Sequence, residues 1–238
     1  MRGADAVAKS IAMKIRFFAA GAFLIALASV ASAQQNNTPP PALLAAIAAT
    51  QGAKVAYAFD YSFASAQANV SAHFDPKATP QLRLTGVDET QLRNDQRQML
   101  NQLRQQVDGV SWCAGERMAH IAHAQLLRED ATTAPYSFQP TRDSTRGQAA
   151  HYADRLRGEI TITKSNPYVT AIHIFTPTAF DPIPFVHIAN VDARVTCELA
   201  PNGRRYAAQT VSQTSGSGFG QSLDQRNVQH VTNLSAAP

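Results

Sequence analysis

VAYAFDYSF, residues 55–63, is the stretch that decides the fold. Val55, Tyr57, Phe59, Tyr61 and Phe63 alternate with Ala56, Ala58, Asp60 and Ser62. Side chains on a strand point alternately to opposite faces, so this pattern puts four aromatic rings on one side of an extended chain. Val70, Ala72 and Phe74 repeat the alternation, which makes Ala64 to Ala68 the turn of a hairpin. Asp75-Pro76 ends the second strand, and Leu82 and Leu84 predict a third before Gly86.

A short helix precedes this hairpin. Ala42 to Thr50 (ALLAAIAAT) has Pro41 at its entry and Gly52 just past its end. After the hairpin, Asp88 is a good N-cap with Gln91 three residues on, opening a long helix to Asp108. Leu92, Met99, Leu100, Leu103 and Val107 form its apolar stripe, Arg93, Arg97, Gln98, Gln102 and Gln105 its wet face, and Gly109 its stop.

Further along, Trp112 to Asp130 is open between a second helix and a helix leading into a strand. Tyr136 and Phe138 predict a short strand, Gln139 to Gly147 a loop, and Gln148 to Asp154 a helical turn. Strands follow at Leu156–Lys164 and Tyr168–Phe175, joined by the turn Ser165-Asn166-Pro167. A proline-spaced loop, 176–184, leads to the longest predicted strand, 189–199. Pro201-Asn202-Gly203 turns the chain into a strand at 206–214, a Gly/Ser loop at 215–220 and a weak last strand at 228–234. Hairpin, helix and antiparallel meander together predict an α+β fold. Its frame is a predominantly antiparallel sheet, covered by one long and a few short helices.

The first 41 residues read differently. Lys14 and Arg16 precede the uncharged run Phe17 to Val30, which ends in Ala31-Ser32-Ala33. A basic n-region, an apolar h-region and a small-residue cleavage site make residues 1–33 a secretory signal peptide, with Met13 as an alternative start. The 14-residue run is shorter than the ~20 that span a bilayer as a helix. The expected product is a periplasmic or secreted chain with no transmembrane anchor after cleavage. A flexible polar and proline-rich leader, 34–41, then precedes a single domain, 42–238. Removing four leader cations and Asp5 from the totals of 21 and 17 leaves 17 basic and 16 acidic residues. That balance offers no electrostatic footprint for nucleic acid or for an anionic membrane.

In an oxidising compartment, the two cysteines, Cys113 and Cys197, favour a structural disulfide over a free Cys113 nucleophile helped by His120.

The cleaved signal, the short helix, the aromatic hairpin (VAYAFDYSF…ANVSAHFDP) and the later run (YSFQPT…EITITKSNPYVTAIHIFTP) resemble the LolA-like half-barrels in order of elements. Those are periplasmic lipoprotein carriers and their lipid-binding relatives. The resemblance implies an incomplete antiparallel barrel closed by helices around an apolar cavity. It implies no catalytic residue and no cofactor.

The candidate sites follow. Tyr57, Phe59 and Tyr61 are either packed core or the wall of a ligand cavity. Glu116, His120 and His123 would share a face if their stretch were helical, and could then hold a metal. Two imidazoles and one carboxylate are few ligands, so the surface reading outweighs the metal site. SGSGFG, 215–220, lacks the glycine spacing and following helix of a dinucleotide cradle, and reads as a flexible turn. His173 and His187 read as tolerated sheet positions, and Asp60 as simply facing water. The leading functional expectation is a non-enzymatic exported protein that binds a lipid or a lipoprotein's acyl chain. The alternatives are an envelope structural or interaction protein with a filled core, and a metal-dependent or other hydrolase.

Overall fold

A computed structural model describes residues 38–237 apart from 51–56, 67, 116, 117, 119 and 146. The expected signal peptide, the first half of the expected leader, the helix stop Gly52, the strand's first residue Val55 and the candidate ligand Glu116 lie outside the described residues.

Helix α1 is Pro41–Thr50. Strands β1 (Tyr57–Ala64), β2 (Asn69–Phe74) and β3 (Leu82–Leu84) follow, then helix α2 (Asn94–Gln106). The rest is strand β4 (Ala122–Leu126), β5 (Thr133–Gln139), β6 (Arg157–Thr163), β7 (Val169–Phe175), β8 (Phe180–Ile183), β9 (Val186–Leu199), β10 (Arg205–Gly218) and β11 (Gln221–Ala236). A 3-10 turn, Gly147–Arg155, precedes β6. All eleven strands form one antiparallel sheet in the order β3-β2-β1-β11-β10-β9-β7-β6-β5-β4, with β8 added on β9. The sheet does not close on itself. Among the described residues no helix is long and apolar enough to cross a membrane.

Two apolar clusters cover one face. Around β5–β7, α1 lays down Leu43, Ala46 and Ile47 against Tyr136, Ile160, Ile162 and Val169. Around β1–β3, Phe59, Phe74 and Leu82 pack with Val110 and Tyr206, and Leu103 and Val107 of α2 rest on them. Between the two clusters the chain at 110–114 pairs with β10. Cys113 N–H donates to Arg205 O at 3.0 Å and Ala207 N–H to Ser111 O at 2.9 Å. The Cys113–Cys197 disulfide, with Cα atoms 5.8 Å apart, fastens this segment to β9. The bridge thus joins the covering layer to the sheet, as the apolar setting of Cys197 predicted.

Several expectations are corrected. The single helix expected over 88–108 is two pieces. Asp88 caps only a 3-10 turn, Glu89–Gln91, by accepting from Thr90 N–H. Leu92 and Arg93 are extended, and α2 starts afresh with Gln96 Oε1 accepting from Arg93 N–H at 3.0 Å. The break lets the Glu89 carboxylate turn back to Leu84 N–H and to Arg104. In the ambiguous 112–130 region, residues 122–126 are a strand. The loop expected at 176–184 contains β8, and the longest strand is β11, 16 residues against 14 for β9.

The Gly/Ser loop is also corrected. Ser215–Gly218 belongs to β10, and only Phe219-Gly220 turns the chain. Gly216 is needed there because a Cβ would come within 2.0 Å of the His187 carbonyl oxygen. A backbone approach that close admits only hydrogen at the Cα, so glycine here serves packing rather than flexibility.

Candidate functional site

Strand β1 faces inward with Tyr57, Phe59 and Tyr61, all buried, as its period of two requires. Their surroundings differ. Phe59 stacks on Phe74, ring centroids 4.8 Å apart and planes 15° from parallel. Tyr57 meets the edge of Trp112 at 6.0 Å. Phe59 and Tyr61 also border a cavity of about 300 Å³, closed by Gln106 and Val107 at the end of α2, by Ser111 of the following segment and by Thr210 and Val231 from the sheet. Burial pushes the Tyr61 phenol up to about 12, so it stays protonated at that wall.

A second hollow is larger, about 400 Å³, and lies between α2 and the β2–β3 edge. Val70 and Leu84 form its floor, Met99, Leu100 and Leu103 its helical wall, and the extended Leu92 lines it just before the helix. Its origin is a mismatch of lengths. Helix α2 runs 13 residues, whereas β3 offers only three beneath it. Leu100 is the one helix residue fully buried, and Met99 and Val87 remain 44% and 50% exposed at the mouth. The rim is polar, with the Arg93–Asp95 pair and Gln96.

Arg104 holds the helix over this hollow. Its guanidinium donates to both Glu89 carboxylate oxygens, at 2.9 and 2.7 Å, and its Nε–H to Leu82 O at 3.0 Å. Burial pushes the Glu89 carboxyl up, but Arg104 and the Leu84 N–H outweigh it and hold the group below its ordinary value.

The polar candidates are dispersed. His123 sits in β4 at a left-handed φ of 52°, where the β4–β5 register shifts, and His120 lies before that strand. The two histidines therefore share no helical face. Among the described residues no three His, Cys, Asp or Glu side chains are placed to hold a metal. Asp60 does not simply face water: it accepts from Asn233 at 2.7 Å and pairs with His73 at 2.8 Å. These contacts, with Asn233 first, hold its carboxyl below the usual range. His173 pairs with Asp192 at 2.9 Å and His187 with Asp181 at 2.7 Å, so both tolerated positions carry an acidic partner.

Reading along the chain placed the α2 stripe against the sheet and missed the hollow beneath it. The available signal was the contrast between five large apolar residues on the helix expected over 88–108 and the brief Leu82–Leu84 strand. Comparison of the chain with family models, curated proteins and solved structures gives no match.

Proposed function

We propose that this protein is an exported, non-enzymatic carrier that holds an apolar or lipid-like ligand between α2 and the open sheet, in the manner of the LolA-like half-barrels. One observation carries the reading. The hollow of about 400 Å³ is walled by Val70, Leu84, Leu92, Met99 and Leu103, and opens past exposed Met99 and Val87. Its size and its apolar lining within a polar rim are those of small-molecule sites. An acyl chain burying ten methylenes there would gain about 8 kcal/mol, before the cost of immobilising it. Export is supported by the layout of Lys14 to Ala33 and by the Cys113–Cys197 disulfide, which suits an oxidising compartment.

The filled-core alternative draws on Phe59, which is 1% exposed and stacked. That packing concerns the sheet beneath the helix and leaves the hollow at β2–β3 open. The test is native mass spectrometry of protein purified from an exporting host, together with titration by a fluorescent fatty acid. We expect a co-purifying lipid or saturable one-to-one uptake. Neither lipid nor uptake would hand the case to the interaction protein.

A further inference from the structure

Strands β9, β10 and β11 outrun their neighbours. The last β7 pair on β9 is Phe175 with Asp192, and the last β1 pair on β11 is Ala64 with Val228. Beyond those points, apart from Val191 bonding Thr176 just after β7, the strand segments Val186–Val191, Thr214–Gly218 and Gln221–Asn227 pair with one another and with β8. The extension is about six residues, or roughly 20 Å of strand.

Two tight turns close this arm at the same end. Pro184-Phe185 joins β8 to β9, and Phe219-Gly220 joins β10 to β11. Phe219 N–H donates to Phe185 O at 2.9 Å, and the two rings lie 6.5 Å apart. Phe185 is 82% exposed, Phe219 74% and Ile183 55%.

Both phenylalanines adopt the left-handed backbone, with φ of 67° and 51°. A bulky residue there is an outlier, and turns of this kind ordinarily take Asn, Asp or Gly. The chain therefore accepts backbone strain twice at one spot, and leaves both rings in water. Strain without compensating packing is a mark of a functional position.

The surroundings select the occupant. Neither Pro182–Val186 nor Ser215–Ser222 contains a charged residue. The nearest charges are the Asp181–His187 pair and Asp224, the latter three residues beyond Gln221, roughly 10 Å along the strand. A stable protein partner covers about 800 Å² per side, whereas two phenyl rings offer roughly 300–500 Å² on a convex tip. A bilayer makes no such demand, and aromatic side chains settle at its interface.

We propose that the Phe185–Phe219 tip is a membrane-docking element that inserts into the interface of a lipid bilayer. The charges of the arm, the Asp181–His187 pair, Asp224 and Arg226, form no basic cluster, so the tip docks on zwitterionic lipid and draws nothing from anionic headgroups. The inference stands apart from the carrier reading, since it needs no ligand in the hollow.

The test is flotation of the full mature chain with phosphatidylcholine vesicles, for the parent and for Phe185→Asn, Phe219→Asn and the double variant. Asparagine accepts the left-handed backbone, so urea unfolding should show each variant at least as stable as the parent. Vesicle partitioning should fall about tenfold per substitution. Added phosphatidylglycerol or 0.5 M salt, on the order of a 4 Å Debye length, should leave the parent's binding unchanged. Val70→Trp, which fills the hollow, should float like the parent, so loss of ligand uptake and loss of docking are told apart. A parent that does not float, Asn variants that float equally well, or binding confined to anionic vesicles would each overturn the proposal. So would a parent dimer that the double variant dissolves, which would assign the tip to a protein contact.

Discussion

Arg104 and Glu89 form a partly buried ion pair that binds the last turn of α2 to the 3-10 turn before the helix. The same carboxylate accepts from Leu84 N–H at 3.1 Å, so one side chain joins helix, turn and strand β3. It sets the height of the helix above the hollow.

The pair makes stability depend on acid. Glu89 is held below its ordinary value of 4.5, so its contribution is present above that pH and is lost as pH falls through the lowered folded value. Glu89→Gln should cost about 1–2 kcal/mol at pH 7, the worth of a charged hydrogen bond. In urea unfolding from pH 7 to pH 3, the gap to the parent should close below about 4.5. A gap that stays constant across that range would refute the assignment.

The disulfide encloses a separation of 84 residues. Cys113→Ser with Cys197→Ser should lower stability by about 4 kcal/mol in the chain-entropy model. Thiol counting on the unfolded, unreduced parent should find no reactive group, and two would exclude the bond.

Gly158 lies directly beneath the buried Phe138 ring on the paired strand, where an added Cβ would come within 2.1 Å of the ring. Gly158→Ala must push that ring out of the α1 cluster, and should cost about 1–3 kcal/mol as an overpacking change. A neutral result in thermal or urea unfolding would show that the cluster yields easily.

Core and hollow can be separated by two substitutions. Phe59→Ala removes a stacked, buried ring and should destabilise by about 3–5 kcal/mol. Val70→Trp should alter stability by less than about 1.5 kcal/mol, because space stands open above it, while abolishing fatty-acid uptake. Uptake that survives Val70→Trp would move the ligand away from the hollow.

Much of this architecture is local, and was readable for that reason. Alternation at Tyr57, Phe59 and Tyr61 follows from the pleat of a single strand, and the structure buries all three. Pro41 opening α1 and Pro201-Asn202-Gly203 turning β9 into β10 are likewise properties of a few adjacent residues. The apolar side of Cys197 followed from its own strand's pattern, and the bridge to Cys113 uses it.

What the residues alone left undecided depends on partners distant in the chain. Asp88 is a cap wherever it stands, but the helix breaks at Leu92–Arg93, where Glu89 reaches Leu84 and Arg104. Gly216 reads as loop composition until the His187 carbonyl is seen against it, and the whole Ser215–Gly218 stretch is then strand. The hollow exists because a three-turn helix lies over a three-residue edge strand, and neither length reports the other. Periodicity and capping act within a turn or two of chain, so the sequence determined an antiparallel, disulfide-suited protein. Only tertiary pairing, which sums contacts across the chain, decided where the sheet stays open and where its aromatics meet water.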